Sequence, residues 1–229
     1  MMTRRPAHRT ALLGIACLLL LSACATAPAI DPALRPANWA TPITMAGLPN
    51  LHRIDASLYR SQQPTETGLR NAREQLGIRT VINLRTFHSE AKAAARAGLL
   101  TETLSVKTWH IEDEDVVRVL QILRQRQNGP FLLHCRHGAD RTGVMAAMYR
   151  IVEQGWTKEQ ALDEMVHGGY GFHPFWSNII AYLEKVDVEY IRAQVAATAS
   201  DGAAACKNAP ITAHDTAPPQ PPHRNCTHE

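Results

Sequence analysis

Cys135, Arg141 and Thr142 fall within one run, FLLHCRHGADRTGVMAAMYR, from Phe131 to Arg150. A thiol, a guanidinium six positions on and a hydroxyl beside it could attack, hold and release an anion. A Cys–Arg pair at that spacing is common by chance, and a buried Cys beside a surface loop would look similar. The energetics show what the catalytic reading requires. A free thiol has a pKa near ~8.5, so only a few per cent is nucleophilic thiolate at pH 7. Lowering such a pKa by ~3 units takes ~4 kcal/mol, and a helix N-terminus contributes ~0.3–2 kcal/mol. The helix dipole alone is too weak. Loop amides, the Thr142 hydroxyl and the Arg141 charge must supply the rest.

The flanking elements decide whether those groups can converge. FLLHC reads as a compact strand and Thr142–Gln154 as a helix ended by Gly155, with Gly138 turning the loop between them. Loop amides and a helix N-terminus then point at one spot, an anion site on which Arg141 can close as a bidentate fork. Upstream, strands are expected at Ser57–Arg60, in IRTVINLR and in LLTETLSV. Helices are expected over Thr65–Leu76, Ser89–Ala97 and Asp113–Gln127. Downstream, Thr157-x-x-Gln160 opens a helix to His167 with a capping box, and Phe175–Val195 reads as one last, long helix. This alternation predicts a single α/β domain over residues 46–197, its mostly parallel central sheet flanked by helices. Ligands of such sheets bind beyond the carboxyl ends of the strands, where Cys135 is delivered.

HCRHGADRTG resembles the signature loop of the cysteine-dependent tyrosine and dual-specificity phosphatases. With LYRSQQP and GIRTVINLR, the layout over about Leu48–Tyr190 resembles the atypical dual-specificity members. The resemblance implies a phosphatase-type fold and two in-line displacements on a phosphomonoester, with a phosphocysteine at Cys135 that water then hydrolyses. Arg141 and the amides of Arg136, His137, Gly138, Ala139 and Asp140 would bind the phosphoryl oxygens. Thr142 would stabilise the departing thiolate, and His134 would orient the loop. No cofactor or metal is implied. Two residues compete as general acid. Asp140 lies in the loop, where related bacterial and lipid-directed enzymes carry DRT. Asp113, in WHIEDEDV, sits where many members carry their acid on a mobile loop. Asp140 is preferred, its alternative role being a structural acceptor for loop amides, and that of Asp113 a helix N-cap.

Substrates could be phosphotyrosine or phosphoserine/threonine proteins, or phosphoinositide-like molecules if Arg136 and His137 face the ligand rather than solvent. Ala139 stands where lipid phosphatases often place a Lys. Trp109, Tyr170, Phe172, His173 and Trp176 could line the rim or belong to the core. Two other classes compete. One is a catalytically silent phosphate-binding module acting as a tethered scaffold, which the retained Cys135, Arg141 and Thr142 argue against. The other is a rhodanese-type sulfur carrier, which the Arg-Thr-Gly helix start disfavours.

The ends suggest where the protein works. Arg4, Arg5 and Arg9 precede an apolar run, Ala11–Leu21, too short to span a bilayer comfortably. It ends in Leu21-Ser22-Ala23-Cys24, which resembles the bacterial lipobox. Residues 1–23 are therefore expected to be a lipoprotein signal peptide, with Cys24 lipidated as the membrane anchor. The protein would face the periplasm, on the outer membrane because Ala25 rather than Asp follows. Residues 24–45 read as a Pro/Ala-rich linker and 198–229 as a disordered tail. In that tail Cys206 and Cys226 could pair, and His214, His223, Cys226 and His228 match no zinc spacing. The net charge of +3 on 229 residues, without a basic stripe, gives no reason to expect a nucleic-acid partner.

Overall fold

A computed structural model describes residues 35–207, and the side chains of residues 35–197. The expected signal peptide, Cys24, Cys226 and the tail histidines lie outside the described residues, as does the Cys206 side chain.

Six strands among these residues form one sheet in the order β1-β2-β3-β6-β4-β5: β1 (Thr41–Pro42), β2 (His52–Arg53), β3 (Leu58–Ser61), β4 (Thr80–Asn83), β5 (Leu100–Thr103) and β6 (Phe131–His134). β3, β6, β4 and β5 run parallel, while β1 and β2 extend the β3 edge antiparallel. The parallel core matches the expected α/β class. The two-residue edge strands carry no readable period, and they add an antiparallel margin that the strand–helix alternation does not announce.

The pleat divides the apolar residues between two faces. Leu58, Ile82, Phe131 and Leu133 face one core, and Tyr59, Val81 and Leu132 the other. Helices α1 (Glu66–Leu76) and α2 (Ala91–Arg96) cover the second face. Helices α3 (Asp113–Arg124), α4 (Asp140–Gln154), α5 (Lys158–His167), α6 (Ser177–Lys185) and α7 (Val188–Lys207) build the first. Local chemistry sets several ends. The Thr65 hydroxyl accepts from Gly68 N, and Gly77 closes α1 with φ +67°. Thr157 and Gln160 form the expected capping box. α4 is buried almost all round, which suits its apolar run.

Three expectations need correction. The linker does not extend to residue 45. Arg35 donates to the carbonyls of Ala40 and Gly168, and Ala40 N to Glu164 Oε1 (2.6 Å), so the segment from Arg35 packs on the domain and leads into β1. The expected helix over Phe175–Val195 is two helices, because Val186 leaves helical geometry (φ −52°, ψ 135°). α7 then continues to Lys207, so residues 198–207, expected in the tail, are helical.

Candidate active site

β6 is the central strand, between β3 and β4, and it delivers Cys135 just past its carboxyl end. The thiol is free and buried. Residues 136–139 turn over it, and α4 begins at Asp140, two residues before the expected start at Thr142. Gly138 sits at φ +69°, where a Cβ would run into the Ser61 carbonyl and the Gln62 amide at the end of β3. Among the described residues, the amides of Arg136, His137, Gly138 and Ala139 have no hydrogen-bond acceptor. Four free donors in the turn between Cys135 and the N-terminus of α4 suit an anion.

The side chains named from sequence occupy distinct places. Thr142 is wholly buried, and its Oγ1 has no hydrogen-bond partner among the described residues. Arg141 is half-buried and donates from Nη1 to the Leu84 carbonyl (3.2 Å) past the end of β4. His134 is fully buried, with Nε2 2.8 Å from Glu90 Oε1 and Nδ1 3.2 Å from the Cys135 carbonyl. That is the geometry of a loop support. Arg136 and His137 are exposed. Burial pushes the His137 imidazole below its ordinary pKa, helped by His173 and Arg136 beside it.

The two acid candidates differ in setting. Asp140 is buried in the first turn of α4, and its carboxylate accepts from the His173 amide (3.0 Å) and faces His173 Nδ1 (3.0 Å). It thus tethers the loop between α5 and α6 rather than its own loop's amides. Asp113 opens α3 and accepts from the Tyr182 hydroxyl of α6 (2.8 Å), and Glu112, not Asp113, is the N-cap. Among the described residues, no hydrogen bond joins Asp113 to the Cys135 loop. Of the aromatic rim candidates, Tyr170 and Phe172 are core residues, Trp176 packs against that core, and Trp109 is exposed.

Sequence reasoning missed three residues that shape the cradle. Arg60 of β3 is wholly buried, donates to the Gly138 carbonyl (2.8 Å) and lies 3.6 Å from the Tyr170 ring centroid. It makes no ion pair with a carboxylate among the described residues, and burial pushes its guanidinium below the ordinary value. LYRSQQP marks a strand and part of the family layout but gives Arg60 no role, although a charged residue inside a buried strand is itself a signal. Glu90 caps α2 and holds His134. Asn50, at φ +56°, donates to the carbonyls of His137 (3.1 Å) and Tyr170 (2.9 Å), clamping the loop from the β2 side.

A strand ending in a buried cysteine, a tight glycine turn and an arginine in the first turn of the next helix are features of the cysteine-dependent phosphatases of the tyrosine and dual-specificity type. Residues 37–173 match the family model described as DSP-PTPase phosphatase fused to NAD+ kinase, and the chain belongs to that phosphatase family. It is 39% identical over 151 residues to the dual specificity protein phosphatase TpbA of Pseudomonas aeruginosa, covering 64% of this chain and 67% of the relative. The crystal structure of TpbA with its cysteine replaced by serine, in complex with phosphotyrosine, is 34% identical. It superposes with a TM-score of 0.64 over 71% of this chain and 98% of that one. The catalytic core of the PP-IP phosphatase SIW14 from Saccharomyces cerevisiae shares the fold at 20% identity (TM-score 0.59, 70% and 96% covered).

Proposed function

We propose that the protein hydrolyses phosphomonoesters on proteins, phosphotyrosine first and phosphoserine/threonine second, through a phosphocysteine on Cys135. The observation that supports this reading is that the turn after Cys135 leaves four amides without an acceptor and the Thr142 hydroxyl buried without a partner among the described residues. The phosphotyrosine held by the related TpbA structure supports the substrate class.

In the first step Cys135 Sγ attacks phosphorus as the ester oxygen leaves with a proton from Asp140. The non-bridging oxygens are held by the amides of residues 136–141 and by Arg141, which must swing from the Leu84 carbonyl to meet them. In the second step water attacks phosphorus and the S–P bond breaks. Thr142 donates to the departing thiolate, and the water's proton passes to Asp140. His134 and Glu90 hold the strand end, and Arg60 the loop.

The basic start, the apolar run Ala11–Leu21 and Leu21-Ser22-Ala23-Cys24 support a further proposal, that the enzyme is tethered in the bacterial envelope through acyl chains on Cys24 and faces the periplasm on the outer membrane. Each buried methylene would add ~0.8 kcal/mol to the tether.

The test uses the purified full-length chain in detergent, with reductant and chelator, on phosphotyrosine, phosphoserine and phosphothreonine peptides and inositol phosphates. Phosphate release from the tyrosine peptide, absent in Cys135→Ser, is expected. No release above that variant would sink the enzymatic reading, and a strong preference for inositol phosphates would move the substrate class. Mass spectrometry of the mature N-terminus tests the anchor: a diacylated or triacylated Cys24 is expected, and a free Ala25 or retained Met1 refutes it.

A further inference from the structure

The phosphatase chemistry leaves two imidazoles beside Asp140 unused. His137 comes from the loop itself and His173 from the connection between α5 and α6. Their ring centroids are 5.4 Å apart. His173 Nδ1 lies 3.0 Å from both Asp140 carboxylate oxygens. One ligand atom from each of the three residues falls within 4.8 Å of the others. Two of the three are exposed, whereas the carboxylate is buried.

From this geometry we infer that His137, Asp140 and His173 form a site for one divalent transition-metal ion, best matched by zinc, whose occupancy switches the enzyme off. Zinc takes imidazole nitrogen and carboxylate oxygen at ~2.0–2.2 Å, so neighbouring ligands of a tetrahedral ion stand ~3.3 Å apart. Asp140 and His173 are already at about that separation. Only His137 must swing inward, and its ring is exposed. On binding, His173 carries its proton on Nε2, leaving the Nδ1 lone pair for the metal. Two imidazoles and one carboxylate fill three positions and leave a fourth for water, an arrangement that hard cations such as magnesium do not favour.

The consequence for turnover rests on the phosphatase reading with Asp140 as proton donor; the binding itself does not. A metal-bound carboxylate has no proton to give. Esters with poor leaving groups should therefore lose at least about tenfold in rate when the site fills, while good leaving groups lose less.

The decisive measurement is zinc binding to the full-length chain in the Cys135→Ser background, which removes the thiol as a competing ligand, read against a chromophoric chelator. The tail histidines and cysteines are constant across the variants, so differences report on this site. His137→Ala and His173→Ala should each bind one equivalent fewer, or bind it at least about tenfold more weakly. The visible absorption of bound cobalt should fall in both. Unchanged stoichiometry and affinity in both variants overturn the site. With Cys135 intact, zinc should slow the parent and leave His173→Ala resistant, and equal inhibition of both overturns the switch by placing the ion elsewhere. A chain that releases no phosphate under chelator fails as an enzyme without touching the zinc titration, so the two readings fail separately.

Discussion

The Thr142 hydroxyl is the most informative single atom pair in the cradle, because it is fully buried and meets no partner among the described residues. An unpaired buried hydroxyl costs roughly 1–3 kcal/mol, a cost offset when it donates to a thiolate or phosphoryl oxygen. Thr142→Val keeps the shape and deletes the donor. It should fold with unchanged or slightly higher stability and slow steady-state turnover by about 10–100-fold. On the proposed mechanism the hydroxyl assists the second step, so rapid-quench kinetics should show phosphoenzyme accumulating. A variant with parental turnover would remove Thr142 from the mechanism. The choice of acid is also made at this scale. Asp140→Asn should cut kcat/KM for alkyl or unsubstituted phenyl phosphates far more than for nitrophenyl phosphate, since a good leaving group needs little protonation. Asp113→Asn keeps an oxygen that can accept from the Tyr182 hydroxyl, so it should leave stability nearly unchanged and show no leaving-group dependence. The reverse pattern would transfer the role to Asp113.

Elements hold these atoms in place by close backbone approach. The turn at Gly138 brings the signature loop against the end of β3 so tightly that no side chain fits. From beneath, Arg60 bonds the same glycine's carbonyl, with its guanidinium sealed under Tyr170. Burying a cation without a directly bonded carboxylate is costly; Tyr170, Glu164 and Cys135 nearby offset part of that cost, and an anion held by the loop would offset more. Arg60→Met should therefore do two things. It should lower the melting temperature by several degrees, because a buried carbonyl loses its donor at roughly 1–3 kcal/mol. It should also shrink the rise in melting temperature that inorganic phosphate gives the parent, because anion affinity enters stability directly. A variant that melts early yet keeps the full phosphate-induced rise would confine Arg60 to packing.

Across the whole molecule, a buried polar network joins the N-terminal segment to the site. Glu164 accepts from Arg150 (2.8 Å), from the Tyr170 hydroxyl (2.9 Å) and from Ala40 N (2.6 Å). Burial raises its pKa, but the Arg150 bonds outweigh that and hold it below the usual value. His52, nearby, packs its ring edge against Tyr170 (4.7 Å) and is lowered to about 4 by burial, with Arg60 and Arg35 adding repulsion against the Asn50 hydrogen bond. Its ordinary value is 6.5, so between pH 6.5 and 4 the unfolded chain binds the extra proton and the fold does not. This contribution is complete above pH 6.5 and is lost as pH falls toward 4, with a slope approaching ~1.4 kcal/mol per pH unit. Denaturant unfolding at pH 7.0, 6.0 and 5.0 should show the loss, and His52→Gln should flatten it. An equally steep decline in the variant would assign the acid sensitivity to other groups.

What the chain order could carry was legible before any coordinates. The short apolar runs of FLLH and TVIN, the Thr157–Gln160 box and the Gly77 and Gly155 stops are local signals, set by neighbours within a few residues, and they located central strands and most helices. The Cys135-to-Thr142 spacing is likewise local, since a strand end, a tight turn and a helix start fix where those groups point. Contacts between distant segments could not be read this way. The two-residue edge strands, the docking of Arg35 on Gly168, the break at Val186 and the placing of Arg60 under Gly138 depend on partners up to 133 positions away. His173 shows the difference most clearly. In the sequence it was one possible rim residue among five. Packing of the α5–α6 connection against the head of α4 set it 3.0 Å from Asp140, and only that contact makes it part of the site.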